Sequence, residues 1–510
     1  GTDFRIGVWD LEARLNYTET ENFTDFPFPQ SLGAVVGASY DLTDPLLPDV
    51  RVFEPNTMNP VDINELDFPV TLGIYFRTGI DTDAVKFRFD AGRDIDFLGD
   101  SRIEFGVQYD TREAEGFTGV IFPLFPSEID IDDFVTDEPW DTTFPNTIGG
   151  RNVDNIGLQA AWEQANGGAI DVPNNPDDDI VIDEDVFAAY VMNTTVFDWG
   201  NVNYGARVEY TDATSSGQVL DDETGTTSPV AVDKQYFNVL PSVHVNWDLR
   251  EDLKLRASLS SGVSRPTYSE MRASINVDVV EQRVGGGNPE LDPEEAIGGD
   301  LSLEWYFADA GLLAAGVYYR SIDNVIYPAA TTIADGSTFV PGVAPGTPVQ
   351  FDSFFNGDDG QLAGLEAQAL IPLPAGFGVS GNVTFLDSEF DAPELGVSSP
   401  LPGTSDFIGN ASVFWENYGL SLRLNYMYRD DWLSTTENDA LNEFWGEQER
   451  LDFSARYVVP LRQFDGAVTV FFNANNLTDY REVRYTDTEA TPNQYEGYGE
   501  RWLVGLRIDY

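Results

Sequence analysis

The feature that most constrains this sequence is an alternation of apolar and polar residues that recurs along the whole chain. At the C-terminus, one parity is entirely apolar or aromatic: Trp502, Val504, Leu506, Ile508 and Tyr510. The same alternation is found in residues 102–110, 201–210, 253–260 and 420–429. Because successive side chains of a β-strand point to opposite faces, these segments are predicted to be strands with one apolar and one mostly polar face.

A transmembrane barrel explains this alternation better than a soluble sandwich does. No apolar run approaches the length of about 18 residues that a membrane-spanning helix needs. Charged residues recur on the polar face of many long strands, as a water-filled lumen would allow. Aromatic rings near strand ends suit the two membrane interfaces. These rings are Tyr210, Trp247, Trp305, Tyr428 and Trp502. The sequence therefore predicts an all-β chain that forms a transmembrane antiparallel β-barrel.

The connections between the predicted strands are alternately short and long. Short turns are predicted near residues 93–100, 197–200, 248–252, 307–311, 372–376, 416–419 and 460–465. A barrel inserted from one side needs this pattern, with tight turns at one end and long loops at the other. Residues 4–17 are taken as the first strand, and residues 68–77 as part of a hairpin inside a long loop. The count is then about sixteen transmembrane strands, within the range seen for such barrels.

The composition excludes several classes of function. The 510 residues include 28 Lys plus Arg, 87 Asp plus Glu, one His and no Cys, for a formal net charge of −59. Without Cys there is no disulfide, Cys-ligated zinc or thiol nucleophile, and one His disfavours a Ser-His-Asp triad. The negative charge opposes binding to nucleic acid, whose phosphates attract Lys and Arg. We therefore predict that the chain binds no nucleic acid and lacks these kinds of catalytic and metal site.

Four short motifs resemble those of one protein family. They are Ser264-Arg265-Pro266, the run Gly-Asn-Pro-Glu-Leu-Asp-Pro-Glu-Glu-Ala at 287–296, the run Asn-Asn-Leu-Thr-Asp-Tyr at 475–480, and the terminal pattern of Gly505, Ile508 and Tyr510. Together they resemble the C-terminal part of TonB-dependent outer-membrane receptors. The sequence as a whole is most similar in character to the large alphaproteobacterial and xanthomonad members of that family. The terminal pattern resembles the signal that the barrel assembly machinery reads.

The resemblance implies a place in the outer membrane of a Gram-negative bacterium and active uptake of a scarce solute. A siderophore–iron complex or an oligosaccharide is the expected cargo. Transport in this family involves no covalent chemistry, so the resemblance also implies that the chain is not an enzyme and needs no cofactor. Family members have an N-terminal plug domain, a TonB box and about 22 strands around a plugged lumen. Neither the plug nor the box is found in this sequence, so residues 1–510 are expected to be the C-terminal barrel portion of a longer protein. The implied partners are outer-membrane lipid and lipopolysaccharide, the TonB system acting through the plug, and the assembly machinery.

Two alternatives stay open from the residues alone. A passive porin of about sixteen strands would show the same alternation and the same long loops. A soluble or surface all-β enzyme or adhesin would turn the apolar face inward, and its abundant carboxylates would suit a glycosidase. The regular rows of Leu and Tyr on the strands oppose that second alternative.

Specificity is expected in the long loops, because variable loops on a rigid scaffold usually carry binding sites. Loop aromatics would stack on sugar or catecholate rings, or would pack the loops against one another. These candidates are Trp140, Tyr268, Trp432 and Trp445.

Charged residues supply two further candidates. An acidic loop segment would suit a structural Ca²⁺ ion, or would carry solvated charge only. This segment is Asp177, Asp178 and Asp179. Arginines on the polar strand faces would help to dock a plug, or would balance an acidic wall. These arginines are Arg207, Arg256, Arg423 and Arg507.

Overall fold

The computed structural model describes residues 1–510 apart from 32–35, 42, 44–48, 63–67, 123–128, 140–149, 166–170, 177, 222–225, 279–282, 339–343, 436–441, 460–465 and 510. The described part contains one α-helix, α1 (Asn155–Ala165), and 3-10 turns at Ile131–Phe134, Gly336–Thr338 and Pro374–Gly376. No helix in these ranges is long and apolar enough to cross a membrane.

The rest of the regular structure is β-strand, numbered here in chain order. The first fifteen strands are β1 (Thr2–Ile6), β2 (Trp9–Ser31), β3 (Gly37–Asp41), β4 (Asp49–Phe53), β5 (Val70–Asp96), β6 (Asp100–Ile121), β7 (Val135–Pro139), β8 (Arg151–Val153), β9 (Ile180–Phe197), β10 (Gly200–Asp221), β11 (Thr226–Arg250), β12 (Leu253–Ser264), β13 (Ile275–Asp278), β14 (Arg283–Gly286) and β15 (Glu294–Ala308). The others are β16 (Gly311–Asp323), β17 (Val325–Ile333), β18 (Val349–Pro372), β19 (Phe377–Ala392), β20 (Val397–Ser399), β21 (Phe407–Asn417), β22 (Leu420–Arg429), β23 (Trp432–Thr435), β24 (Glu443–Trp445), β25 (Gln448–Val459), β26 (Ala467–Asn475), β27 (Arg481–Thr486), β28 (Pro492–Gly497) and β29 (Arg501–Asp509).

A continuous antiparallel ladder forms the barrel sheet. Its strands are, in order, β1, β2, β5, β6, β9, β10, β11, β12, β15, β16, β18, β19, β21, β22, β25, β26 and β29. Neighbours in this ladder follow one another along the chain, and the shorter strands between them belong to the long connections. The predicted fold class, an all-β antiparallel barrel, is confirmed, and so is the count of about sixteen long strands.

Tight turns collect at one end of the sheet, called the turn end here, and the long connections lie at the opposite loop end. Between β21 and β22, Tyr418 (φ 52°) and Gly419 (φ 77°) both have positive φ, as a type I′ hairpin turn requires. At the start of β10, Gly200 has φ 144°, and a Cβ there would lie 1.9 Å from the backbone oxygen of Asn246. Glycine therefore permits the positive φ at residue 419 and the close approach of the neighbouring strand at residue 200.

Two sequence-based assignments need correction. The predicted strand at residues 4–17 is split, because Gly7 adopts φ 63° and turns β1 back along β2. Residues 68–77 do not form a separate hairpin in a loop: β5 begins at Val70 and runs unbroken to Asp96. Within that segment Tyr75 pairs with Pro27 of β2 and with Ile121 of β6. Alternation reveals a strand but does not show where the bilayer ends, and the strand continues well past that point.

The outward face of the ladder is an apolar belt. Large side chains of alternate parity are exposed in strand after strand, among them Leu301 (46 %), Val317 (50 %), Phe385 (52 %) and Val504 (72 %). Rings cluster at the turn end, where the Trp199 ring lies 4.9 Å from Phe197 and 5.8 Å from Trp247. The distance along β11 from Trp247 to the exposed Phe237 is roughly 33 Å. Projected on the membrane normal, with a strand tilt of about 40°, this distance is roughly 25 Å. That height matches the hydrocarbon band of an outer-membrane barrel.

Two neighbouring substitutions in β15 test which face meets lipid. Leu301 points outward near the middle of the belt, whereas Ser302 lies on the opposite, lumen face beside Arg256. We expect Leu301→Arg to weaken folding into lipid vesicles by about 2–4 kcal/mol, because Arg is costly at the bilayer midplane. Ser302→Arg should cost much less. Urea titration of the vesicle-inserted protein measures both, and equal costs would contradict the assignment of faces.

Candidate binding site at the loop end of the barrel

Two of the long connections fold together into a small antiparallel sheet, called the loop sheet here. It contains β23 and β24 from the connection between β22 and β25, and β27 and β28 from the connection between β26 and β29. β24 pairs with β23 on one side and β27 on the other, and β27 pairs in turn with β28. Loops far apart in sequence are thereby held as one unit above the barrel wall.

The loop sheet brings two predicted ligand-binding residues together. Trp432 pairs with Trp445 across β23 and β24, with ring centroids 5.1 Å apart. The Arg429 guanidinium lies 3.7 Å from the Trp432 ring, and the Arg484 guanidinium 3.9 Å from the Trp445 ring. Such cation–π contacts stabilise by about 0.5–2 kcal/mol each. The contacts favour loop packing as the role of these two rings, while stacking on a ligand stays a prediction.

Phenol–carboxylate contacts reinforce the loop sheet. The Tyr485 hydroxyl donates to Asp431, and the Tyr485 ring stacks on Phe444 with centroids 5.5 Å apart. Burial, aided by the Asp431 carboxylate, raises the pKa of Tyr485 above its usual value. Burial likewise raises the pKa of Tyr480 to about 12, with Glu482 adding to the effect. Both phenols therefore stay neutral at physiological pH and act as hydrogen-bond donors or packing surfaces.

The Asn-Leu-Thr-Asp motif holds the base of the loop sheet. Asn476 has φ 58°, a left-handed conformation that Asn tolerates better than most residues. Its Nδ2 donates to the carbonyls of Tyr480 (3.1 Å) and Gly499 (3.0 Å), and its Oδ1 accepts from the Tyr480 N–H (2.8 Å). Its own N–H donates to Asp452 of β25 at 2.9 Å. One side chain thus clasps both ends of the segment that contains β27 and β28.

A second loop crosses between strands that are not neighbours in the barrel. β13 pairs in parallel with the outer end of β10, and β14 pairs in parallel with the outer end of β18. Four barrel strands lie between β10 and β18, so the β13–β14 hairpin, called the strut here, links distant parts of the rim. Val277, Val284 and Val349 are almost completely buried where the strut meets β18.

Ion pairs fasten the loop that carries the strut. Arg265 donates to Glu209 at 2.5 Å and to Thr211 at 3.2 Å, and its guanidinium lies 3.7 Å from Glu184. Glu184 and Glu209 are 4 % and 7 % exposed, so neither carboxylate has much water to solvate it. Burying charge is tolerated when the charge is paired. Arg265 of the Arg-Pro motif pairs with both carboxylates, and Arg112 (3.6 Å from Glu184) and Arg207 (2.6 Å from Glu209) add to the pairing. Tyr268, another predicted ligand-binding residue, lies half-buried against Arg112 beside the same network.

The predicted calcium ligands have other partners where the structure describes them. Asp178 accepts from Arg272 at 2.5 Å, and the Asp179 carbonyl accepts from the Ser274 hydroxyl at 2.7 Å. Asp177 lies outside the described residues, as does the predicted aromatic Trp140. Across the described ranges no group of three or more His, Cys, Asp or Glu side chains is arranged to hold a metal ion. A structural Ca²⁺ ion in this segment stays a prediction.

The predicted assembly signal lies on the last strand. Gly505 faces the Phe471 ring, and a Cβ at this position would lie 2.1 Å from that ring, so a larger residue here would require the ring to move. Ile508 faces outward and is 60 % exposed. Tyr510 lies outside the described residues. Recognition of this pattern by an assembly machinery stays a prediction.

Three of the four arginines predicted to line the lumen have a carboxylate partner on their own wall. Arg207 pairs with Glu209 at 2.6 Å, Arg256 with Glu304 at 2.7 Å, and Arg507 with Asp509 at 2.8 Å. Arg423 differs, since its guanidinium lies 4.9 Å from the Phe414 ring instead. The charge-balancing role is therefore supported for the first three.

Sequence reasoning missed the side chains that organise the loop end. The sequence analysis includes Arg265 and Asn476 in family motifs but predicts no structural role for either side chain. Glu184 and Glu209 were not singled out. A recognisable signal existed for Arg265: an arginine between a strand end and a proline, in a chain with several acids on polar strand faces.

Comparison with known families agrees with this geometry. The family model described as TonB dependent receptor-like, beta-barrel, matches residues 8–477. The chain belongs to the TonB-dependent receptor family. The resemblance inferred from the motifs is thus confirmed over most of the chain. None of the curated proteins matches the sequence.

Solved receptors share the fold at low sequence identity. The ferric yersiniabactin uptake receptor FyuA from Yersinia pestis is 13 % identical, with a TM-score of 0.56, and the alignment covers 100 % of this chain and 60 % of that one. The copper transporter OprC is 12 % identical, with a TM-score of 0.58 and coverage of 98 % and 63 %. The ferripyoverdine receptor of the Pseudomonas aeruginosa outer membrane is 13 % identical, with a TM-score of 0.56 and coverage of 98 % and 54 %. The chain therefore spans less than two thirds of the length of these proteins.

Substitution of Asn476 tests the clasp at the base of the loop sheet. In Asn476→Asp the acceptor oxygen is retained but both donated hydrogen bonds are lost, so we expect local stability to fall by about 1–3 kcal/mol. Hydrogen exchange of residues 481–497 should accelerate accordingly. Asn475→Ala is the matched control, since the neighbouring side chain forms no hydrogen bond within the described structure. Equal exchange in both variants would show that Asn476 is not the clasp.

Substitution of Arg265 tests the anchor of the strut. Arg265→Met removes the cation that Glu184 and Glu209 share but leaves Arg112 near Glu184 and Arg207 on Glu209, so a loss of about 1.5–3 kcal/mol is expected. Hydrogen exchange in residues 275–278 and 283–286 should then become fast, while Arg265→Lys should show a smaller change. Arg250→Met is the control, because Arg250 pairs with Asp252 at an exposed turn. Unchanged protection in Arg265→Met would contradict the anchoring role.

Proposed function

We propose that this chain is the barrel portion of a receptor that takes up a scarce solute across the outer membrane of a Gram-negative bacterium. The observation that carries the proposal is the family match over residues 8–477. The folded loops support it, because the strut and the loop sheet cover the rim with ordered surfaces that a ligand could contact. The mechanism proposed is binding and gated passage, without covalent chemistry by this chain.

The barrel is proposed to be completed by strands outside residues 1–510. Every residue of β1 is exposed, and every residue of β29 except Gly505 is exposed or nearly so. An unpaired strand edge in hydrocarbon is costly, because its N–H and C=O groups find no water there. Additional strands between these two edges would satisfy them and would approach the family count of about 22. We also propose that a plug domain upstream of residue 1 contacts TonB.

The cargo is proposed to be a siderophore–iron complex or an oligosaccharide. The solved proteins of the same fold include an uptake receptor for ferric yersiniabactin, a copper transporter and a ferripyoverdine receptor. Because these proteins are only 12–13 % identical to this chain, the similarity supports a shared fold and not a shared cargo. Their cargoes therefore guide only the choice of solute class. No observation in the described structure favours a passive porin.

Energy dependence separates the proposed receptor from a porin. We expect a strain that lacks the gene to lose uptake of one labelled ferric siderophore or oligosaccharide from a panel. The full-length gene should restore that uptake, and a protonophore should abolish it, because the energy for passage comes through TonB. Uptake that persists with a protonophore and rises linearly with solute concentration would indicate a passive pore and contradict the proposal.

A further inference from the structure

Three neighbouring strands, β2, β5 and β6, change the character of their outward face along their length. Near the middle of these strands the outward side chains are apolar and exposed, as at Leu15 (68 %), Phe87 (41 %) and Val107 (50 %). Further toward the loop end, the same outward parity carries two rows of exposed carboxylates. These rows are Glu19, Asp83 and Glu113, followed by Glu21, Asp81 and Glu115. Because charge is costly in hydrocarbon, the carboxylate rows lie at the level where the strands leave the bilayer.

Beyond that level the inward face of the same strands becomes apolar. The pairing of β2 with β5 and of β5 with β6 shows no register shift up to Gln30 and Tyr75, so parity still reports which face a side chain is on. The inward positions there are called the phenylalanine face here. They are Phe26 and Phe28 on β2, Ile74 and Phe76 on β5, and Val120 on β6. Large apolar side chains thus face the space above the lumen instead of lipid.

The two faces of this extension differ in what covers them. On the outward face, Tyr75 and Ile121 pack with Trp162 of α1, and Tyr75 is only 9 % exposed. On the inward face, Phe26 and Phe28 are 54 % and 43 % exposed, and their rings stack with centroids 5.9 Å apart. A further strand at the free edge of β2 would lie beside this face and not over it, because strands pair in the plane of the sheet. The phenylalanine face is therefore accessible from the mouth of the barrel.

The phenylalanine face is also neutral, although the chain has a net charge of −59. Its inward neighbours toward the membrane are Thr24, Thr78 and Thr118, and below these Asn22, Ile80 and Gly116. None of these side chains is charged, whereas the outward side of the same extension carries the carboxylate rows. An anionic group placed against this face would lose water and would gain no cation in return. The complementary group is therefore uncharged and apolar.

The dimensions of the phenylalanine face favour a small molecule as its occupant. Three adjacent strands at about 4.8 Å spacing span roughly 10 Å, and two rows of side chains span roughly 7 Å along the strands. A stable protein interface buries about 800 Å² on each partner, which is far more than this face offers. An oligosaccharide would need several hydrogen-bonding side chains, and the rings of Phe26, Phe28 and Phe76 supply none. A single apolar group of a solute fits both the size and the chemistry.

We propose that the phenylalanine face binds an uncharged apolar group of the transported solute at the mouth of the barrel. The inference rests on the proposed receptor function. It narrows the class of cargo to a solute that carries an apolar substituent, and it disfavours an unsubstituted oligosaccharide or an anionic iron complex. Contact with Phe26 and Phe76 supplies affinity by removing apolar surface from water.

Uptake of two matched solutes by cells that express the full-length protein tests the proposal. The solutes are an uncharged ferric trihydroxamate with an octanoyl group and the same complex with an acetyl group. We expect wild type to show a KM for the octanoyl complex that is lower by on the order of tenfold, because more apolar surface is buried. The double variant F26A/F76A should lose most of that difference while its maximal rate is unchanged. F23A is the matched control, because Phe23 is also 54 % exposed on β2 but faces outward.

The outcomes separate the phenylalanine face from the receptor function. Equal KM values for the two complexes in wild type, or an undiminished difference in F26A/F76A, would overturn the binding face and leave the receptor function intact. Preference for an anionic ferric tricatecholate over the octanoyl complex would overturn it as well. Uptake that persists with a protonophore would overturn the receptor function instead.

Fluorine NMR gives a second readout that needs no transport. The full-length protein in lipid nanodiscs would carry trifluoromethylphenylalanine in place of Phe26 or, as the control, in place of Phe23. Adding 1-hexanol should shift the resonance at the Phe26 position saturably, and hexanoate should shift it much less, because no cation there receives a carboxylate. The resonance at the Phe23 position should respond weakly to both probes. Equal shifts at the two positions, or a stronger effect of hexanoate than of 1-hexanol, would contradict the proposal.

Discussion

Every peptide group that crosses the hydrocarbon of a bilayer needs a hydrogen-bond partner within the protein, because lipid offers none. The antiparallel ladder meets this requirement along its length, and other features of the chain follow from it. Strand pairing fixes which parity faces lipid and which faces the lumen. The apolar belt, the ring clusters at the turn end and the polar lumen are consequences of that one alternation. Strand pairing also continues beyond the bilayer, as in the 27-residue strand β5, so the barrel wall extends past the membrane at the loop end.

Charge is organised by the same architecture. A chain with a net charge of −59 places several arginines on the lumen face, where Arg207, Arg256 and Arg320 pair with carboxylates of the same or a neighbouring strand. At the rim, Arg265 performs the same task for two buried glutamates and thereby fastens a loop.

Local rules predicted much of the fold, and non-local contacts account for the rest. Alternation of apolar and polar residues over four or more positions identified the long strands. Glycine-containing turns such as Tyr418–Gly419 marked the hairpins. The split at Gly7 and the full length of β5 were missed, because period two does not report a turn inside a strand or the position of the bilayer. The parallel pairing of the strut with β10 and β18 joins segments with no shared local signal. For the same reason, Trp432 and Trp445 were correctly placed in loops, but their mutual contact was not foreseen.

The central claim is that this barrel is one part of a gated receptor whose lumen is filled by another part. The most direct test is the intact mass and N-terminal sequence of the protein purified from outer membranes. The account predicts a mass well above 56.4 kDa, with a folded domain and further strands upstream of residue 1. A mature protein of 56.4 kDa that spans the membrane without another subunit would contradict it.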